Sequence, residues 1–163
     1  EYRKTEILTK ALHEYLGTLS RKELSGSESR EAACYLHIVD DMKHINDAVY
    51  RDFGNVVERQ RDQLLKLSED EKSDLDIYQK HTLELLQKNL TSVEKNDIKF
   101  AEEANLLYNK LKRLATKLQD NNISRSLGAG KEKFSVFADI VDALRAISSR
   151  VNIFSQSILE HLE

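Results

Sequence analysis

The sequence predicts an all-α protein, folded as an antiparallel helical bundle, and three observations carry that prediction. The 163 residues include no proline, which breaks helix interiors by removing a donor and clashing with the preceding turn. Leu, Glu, Lys, Arg, Gln and Ala, all good helix formers, dominate the composition. Apolar residues recur at three- and four-residue spacing. Turns between these segments favour a folded-back bundle over a dimerising coiled-coil rod.

The first two helices are predicted at residues 2–24 and 28–67. Ser27 is the expected N-cap of the second, because it directly precedes the periodic segment. Each helix has an apolar stripe that we expect to face the core. The stripes are Leu8, Leu12, Tyr15 and Leu19 in the first helix, and Tyr35, Ile38, Met42, Ile45, Val49, Phe53 and Val56 in the second.

Three more helices are predicted at residues 68–90, 97–123 and 131–162, with a turn at 91–96 and a glycine-containing loop at 126–130. Ser68 and Glu71 have the spacing of a capping box at the start of the third helix. The expected inward residues are Leu75, Tyr78, Leu83 and Leu86 in the third helix; Phe100, Ala104, Leu107, Leu111, Leu114 and Leu118 in the fourth; and Phe137, Ile140, Leu144, Ile147, Val151, Phe154 and Ile158 in the fifth.

Composition also narrows the functional classes. The formal net charge is −3 with acids and bases interspersed, so no basic block indicates a nucleic-acid partner. A single cysteine, Cys34, excludes an internal disulfide framework. No apolar run approaches the roughly 20 residues of a membrane span. Since no nucleophile–base motif is present either, we expect a protein that is not an enzyme.

Two segments of the sequence are alike at a constant offset. Residues 38–45 (IVDDMKHI) resemble residues 140–147 (IVDALRAI), 102 positions later. Val49 and Val151 continue the correspondence, and Gly26 and Gly128 precede the two helices at the same offset. The alternative is that two amphipathic helices merely share an apolar rhythm. A repeat predicts two related helical hairpins, or two related three-helix units, packed side by side.

The predicted units are unequal. Residues 68–163 would form a complete second repeat, and residues 1–67 a partial first repeat that lacks its first helix, both packed as one domain. Because the sequence begins at Glu1 within a helical pattern, we expect a piece of a longer chain whose preceding segment supplies that helix.

The two matching stretches resemble the PhoU family of helical phosphate regulators. In that family the last helix of each three-helix unit has a signature close to D-x-E-R-I-G-D. Here the corresponding stretches are residues 41–47 (DMKHIND) and 143–149 (ALRAISS). The resemblance is greatest to the PhoU-like domain that follows the membrane part of sodium–phosphate cotransporter-type proteins, and it implies two three-helix repeats.

The resemblance also implies candidate site residues. The family's acid pairs hold metal clusters, but here Lys43 and Arg145 replace the first acid of each pair. Of the second acids, Asp47 is retained and Ser149 is not. A metal site at Asp40 and Asp47, for a divalent or iron ion, would therefore be vestigial, and no cofactor is expected. We expect ion pairs of Lys43 with Asp40 and Asp47, and of Arg145 with Asp142. The resulting interaction face comprises Asp40, Lys43, Asp47, Asp142, Arg145 and Ser149.

Other candidate sites have simpler interpretations. His37, Asp41 and His44 share one helix face and could ligate zinc, but a solvated helix face is the favoured explanation. Cys34 could be a reactive thiolate near a helix start, or a small buried residue at a helix crossing. Residues 128–131 (GAGK) could cradle a phosphate, but a plain turn suffices.

The resemblance implies a cytoplasmic regulatory domain, belonging to a protein of the inner or plasma membrane, that modulates phosphate uptake through helix contacts. Its partner would be the transporter portion of the same chain, and a homo-oligomer is compatible with the sequence. Two alternatives stay open. One is a stand-alone, metal-binding PhoU-like phosphate regulator, and the other is a helical scaffold unrelated to phosphate.

Overall fold

The computed structural model describes residues 2–22, 24–62, 67–126 and 131–161, and all regular structure within them is helical. The predicted all-α bundle is therefore confirmed. The helices are α1 (Tyr2–Leu19), α2 (residues 26–62), α3 (Glu69–Lys95), α4 (Lys99–Ser126) and α5 (Lys131–His161). Within α2, a π-helical segment, Ala48–Phe53, separates the α-helical segments Gly26–Asp47 and Gly54–Asp62.

Capping boxes start both α2 and α3. The Ser68 box with Glu71 confirms the prediction. The predicted cap at Ser27 was wrong, because Ser25 caps α2 instead. The Ser25 hydroxyl accepts from the Glu28 N–H at 3.3 Å, and the Glu28 carboxylate accepts from the Ser25 N–H at 2.8 Å. Three residues after Ser27 stands Arg30, which has no carboxylate to complete such a box.

The connection between α3 and α4 is shorter than predicted. The segment expected to be a turn, residues 91–96, is helical up to Lys95, and Asn96 ends the helix in the left-handed conformation at φ 50°. Ser92 donates to the carbonyl of Asp97 at 2.7 Å, and the Asp97 carboxylate accepts from the Lys99 N–H at 3.0 Å. These side chains satisfy backbone groups at the junction. Of the predicted loop at 126–130, only Ser126 is described, and it ends α4.

Helix α5 lies at the centre of the bundle and contacts α2, α3 and α4. It crosses α2 in an antiparallel direction, since Ser157 donates to Asp41 at 2.7 Å while Arg59 lies 4.0 Å from Asp139. All seven residues of the predicted α5 stripe are buried. Helices α3, α4 and α5 pack on one another, and α1 packs on α2. We call α1 and α2 the first unit, and α3 to α5 the second unit.

The prediction for the inward face of α1 was wrong. Leu8, Leu12 and Tyr15 are exposed, whereas Thr9 and Leu16 are buried against the rest of the bundle. The more apolar side of α1 therefore faces solvent. Polar contacts with α2 accompany the observed rotation, because the α1 side chains Tyr2 and His13 both reach carboxylates of α2.

The predicted stripes of α2 and α3 need similar corrections. Tyr35 and Val49 of α2 are exposed, as is Leu83 of α3. Helix α3 instead buries a stripe that mixes apolar and polar residues, whose members are Tyr78, Thr82, Leu85, Asn89 and Ser92. Apolarity alone misplaces this face, because its hydroxyl and amide groups find hydrogen-bond partners inside the bundle.

Candidate interaction face

The six residues of the predicted interaction face form two sets, one on α2 and one on α5. Lys43, Asp142 and Arg145 are exposed, and Asp40, Asp47 and Ser149 are half-buried. Lys43 and Arg145 thus occupy similar surface environments on two helices that cross each other.

On α2, the acidic residues contact partners other than Lys43. His13 Nε2 lies 3.4 Å from Asp40 Oδ1. Asp47 Oδ1 accepts from the Tyr2 hydroxyl at 2.7 Å and lies 3.8 Å from Arg51 Nε. Within the described ranges, the ion pairs closer than 4.0 Å do not include Lys43 with Asp40 or Asp47. The packing of α1 supplies partners that spacing along α2 alone could not reveal.

Tyr2, Asp47 and Arg51 form a cluster that sequence reasoning missed. Arg51 Nη2 donates to the Tyr2 hydroxyl at 3.2 Å, and the Tyr2 ring stacks on Tyr50 with centroids 4.1 Å apart. The hydrogen bond to Asp47 raises the pKa of Tyr2, and the hydrogen bond to Tyr2 raises the pKa of Arg51. Tyr2 and Asp47 are 45 residues apart, so no helical spacing could have indicated their contact.

On α5, Asp142 also pairs with a neighbouring helix. Its Oδ1 atom accepts from Gln119 Nε2 of α4 at 2.8 Å. The predicted ion pair with Arg145 is not among the described contacts below 4.0 Å. The Arg145 carbonyl accepts from the Ser148 hydroxyl at 3.0 Å. Asp40 and Asp142 therefore each contact a side chain of the preceding helix, which is His13 of α1 for Asp40 and Gln119 of α4 for Asp142.

Burial follows the 102-residue offset in both helix pairs. Buried residues of α2 coincide with buried residues of α5 in five pairs: Cys34 with Val136, Ile38 with Ile140, Val39 with Val141, Ile45 with Ile147, and Val56 with Ile158. On α1 and α4 the coincident buried pairs are Thr9 with Leu111 and Leu16 with Leu118. Helices α1 and α4 therefore turn corresponding residues, 102 positions apart, toward the bundle.

The second unit contains a buried polar network between α3 and α5. The Tyr78 hydroxyl lies 2.9 Å from Ser148 Oγ. Asn89 Nδ2 donates to the Val151 carbonyl at 2.8 Å, and the Ser155 hydroxyl donates to Asn89 Oδ1 at 2.8 Å. Burial raises the pKa of the Tyr78 hydroxyl, which is protonated at neutral pH. This network fixes how α3 lies against α5.

Two open cavities lie beside α1 and α2 in the first unit. One, of about 370 Å³, lies between α1 and α2 and is bordered by Asp40 and Lys43. The other, of about 690 Å³, is bordered by Tyr2 of α1 and by both apolar and charged residues of α2, namely Asn46, Val49, Tyr50, Arg51, Gly54, Asn55 and Glu58. We call the surface that borders this second cavity the open groove.

Among the described residues, the histidines and the cysteine singled out from the sequence do not form a metal-binding or reactive site. In the part of the chain that the structure describes, no group of three or more His, Cys, Asp or Glu residues could hold a metal ion. Asp41 accepts from Ser157, while His37 and His44 are exposed. Cys34 is buried, and burial raises the pKa of its thiol, which fits a packing residue at a helix crossing. Residues 128–130 lie outside the described ranges.

Comparison with protein-family models, with curated proteins and with solved structures finds no match for this chain. Among the described residues, none of the helices has the length and apolarity that crossing a bilayer requires. Function must therefore be argued from the contacts and surfaces of the bundle.

Proposed function

We propose that the chain is a cytoplasmic, PhoU-like regulatory domain that modulates a sodium-dependent phosphate transporter through helix contacts. The observation that supports this proposal best is the 102-residue offset, at which local sequence and burial agree in two helix pairs. That agreement is what a duplicated three-helix unit would produce, and duplication is the feature of the PhoU family to which the matching stretches correspond.

The proposed mechanism is a change in helix packing that biases the attached transporter. Lys43 and Arg145 are both exposed and lie 102 residues apart in the sequence, and each could attract an acidic group of a partner. A partner that prefers one packing of the bundle would shift its population toward that state. The proposal assigns no bond-making reaction to the domain.

The test is phosphate uptake by cells that express the whole protein containing this chain. The double substitution Lys43→Ala and Arg145→Ala should bring the ratio of uptake in phosphate-starved and phosphate-replete cells toward unity. A matched control, Arg113→Ala with Lys117→Ala, removes two exposed bases of α4 and should leave that ratio unchanged. Normal regulation in the first variant would contradict a role for these two faces.

Elemental analysis of the purified protein addresses the metal-binding alternative. A stoichiometric divalent or iron ion would favour a stand-alone, metal-binding regulator acting on a soluble partner. The third alternative is tested by deleting the part of the gene that encodes this chain. If phosphate uptake and its regulation are then unchanged, the chain is a scaffold unrelated to phosphate.

A further inference from the structure

The solvent-facing side of α1 carries a continuous apolar surface. Four large apolar side chains there are between 47% and 66% exposed, namely Ile7, Leu8, Leu12 and Tyr15. The last three recur at three- and four-residue spacing, and the first lies beside them, so the four form one stripe, which we call the α1 stripe. The opposite side of α1 packs against α2. A contiguous apolar stripe in solvent indicates an interaction surface.

A helix placed on the first unit as α3 lies on the second unit would leave the α1 stripe open. The coincident burial described above shows that α1 and α4 turn corresponding residues inward. The residue 102 positions after Leu8 is Lys110, and it is exposed. The residue 102 positions after Tyr15 is Lys117, which is also exposed although α3 packs against α4. What covers the α1 stripe therefore comes from outside such a completed three-helix unit.

The charge around the α1 stripe favours an anionic surface. Residues 1–22 contain five bases and three acids, a net charge of +2, in a chain whose net charge is −3. Exposed bases flank the stripe at both ends, with Arg3 and Lys4 in the first turn and Arg21 and Lys22 after the last. Backbone hydrogen bonds to the last turn of α1 hold Arg21 and Lys22 beside the end of the helix. Long basic side chains in these places can reach anionic groups on either side of the apolar surface.

The area available favours a lipid surface over a protein partner. Helix α1 has 18 residues, so it is about 27 Å long. One side of a helix of this length, with a diameter of about 10 Å, offers roughly 400–500 Å². Each partner in a standard protein interface buries about 800 Å². A bilayer sets no such minimum, because apolar insertion and attraction to anionic headgroups add up residue by residue.

We propose that the α1 stripe is a docking surface for an anionic membrane. Helix α1 lies along the bilayer, with the stripe at the boundary of headgroups and acyl chains and the flanking bases among the headgroups. Tyr15 suits this position, because its ring is apolar while its hydroxyl stays hydrated. The open groove is a separate surface, since α1 borders it through Tyr2, which bonds to Asp47 of α2. The proposal does not rest on phosphate regulation.

The first experiment measures co-sedimentation of the whole 163-residue chain with lipid vesicles. We expect binding to vesicles that contain phosphatidylserine, and little binding to vesicles of phosphatidylcholine alone. The double substitution Leu8→Ser and Tyr15→Ser should lower the partition coefficient at least about fivefold, because it removes exposed apolar side chains. The matched control, Leu83→Ser with Leu106→Ser, changes exposed leucines of α3 and α4 and should bind as the original chain does. Circular dichroism verifies that both variants fold.

The flanking bases are tested in the same assay. Arg21→Ala with Lys22→Ala should weaken binding about three- to tenfold and make it less sensitive to added salt. The control Lys80→Ala with Lys99→Ala removes the same charge from exposed positions of α3 and α4, and it should leave binding unchanged.

Insertion of the stripe is tested by fluorescence, because the chain contains no tryptophan. Leu12→Trp places a single reporter in the α1 stripe, and its emission should shift to the blue and be quenched by brominated lipid when anionic vesicles are added. Leu83→Trp places the reporter on the exposed side of α3, where neither change is expected.

Three results would overturn the proposal. The first is failure of the chain to bind anionic vesicles. The second is vesicle binding that the Leu8 and Tyr15 substitutions leave intact or that the Leu83 and Leu106 control removes, because the contact would then lie elsewhere on the chain. The third is self-association that the Leu8 and Tyr15 substitutions abolish in a chain that ignores vesicles, which would assign the stripe to a second copy.

Discussion

The first and second units bury several residues at a common offset of 102 positions, but the second unit contains a third helix, α3. In the second unit, α3 covers α4 and α5, and a buried network joins Tyr78 and Asn89 to α5. In the first unit, α1 and α2 are held by exposed and half-buried contacts such as Asp40 with His13. The comparison teaches that one helix decides whether the same face is core or surface.

The two units should also differ in how much they contribute to the free energy of unfolding. Buried apolar area and satisfied buried hydrogen bonds are concentrated around α5, whereas much of the apolar surface of α1 remains in contact with water. We therefore expect the second unit to dominate the free energy of unfolding, and the first unit to open more readily. The predictions below compare the two units at equivalent positions.

The largest effect is expected at Phe154, which is fully buried in α5. Phe154→Ala should lower the free energy of unfolding by about 3–5 kcal/mol, because it leaves a cavity in the core. The residue 102 positions earlier is Asp52, which is exposed, and Asp52→Ala should change stability by less than about 0.5 kcal/mol. Urea denaturation measures both, and a comparable cost for the two would refute the contrast.

Asn89 should follow, because its amide joins α3 to α5. Asn89→Ala should cost about 2–3 kcal/mol, since it removes two buried hydrogen bonds and leaves the Ser155 hydroxyl only the longer contact to the Val151 carbonyl, at 3.3 Å. Asn109→Ala on the exposed side of α4 is the control and should stay within about 0.5 kcal/mol of the original. A small effect at Asn89 in thermal and urea unfolding would show that the network contributes little.

The same substitution, valine to alanine, can be compared at Val151 of the second unit and at Val49 of the first unit. Val151→Ala should cost about 2 kcal/mol, and Val49→Ala less than about 0.5 kcal/mol, because only Val151 loses buried contacts. Equal costs in urea unfolding would mean that the first unit already buries this position.

The two capping boxes should contribute similarly, in contrast to the faces that follow them. Ser25→Ala and Ser68→Ala should each cost about 1 kcal/mol, because each removes an acceptor for a backbone N–H of the first helical turn. The corresponding Ser→Thr variants are controls that retain the hydroxyl. Costs that differ by more than about 1 kcal/mol would place one helix start outside the cooperative unit.

The smallest effect concerns pH. Hydrogen bonds from Ser25 lower the pKa of Glu28 in the folded chain. The contribution of the ionised carboxylate is therefore fully present above the unfolded pKa of about 4.3 and is lost as pH falls through the lowered folded value. Glu28→Gln should destabilise the protein at neutral pH, and this difference should shrink in acid. A cost that grows on acidification would have the wrong sign.

Sequence by itself determined the secondary structure and much of the core. The absence of proline and the three- and four-residue spacing sufficed to predict five helices, and every predicted inward residue of α5 is buried. Helix α5 has neighbours on several sides, so its apolar stripe had to face inward. The Ser68 capping box was likewise predictable, because both of its hydrogen bonds are local.

Tertiary structure alone decided which face of α1 points inward and which partners the acidic residues of α2 take. The sequence favoured Leu8 and Leu12, but these side chains face solvent while Thr9 is buried. Asp47 bonds to Tyr2, 45 residues away, rather than to Lys43 one turn away. A helix with neighbours on only one side can leave apolar side chains in solvent. Its orientation therefore depends on the surfaces of its neighbours, and the spacing of residues along one helix gives no information about those surfaces.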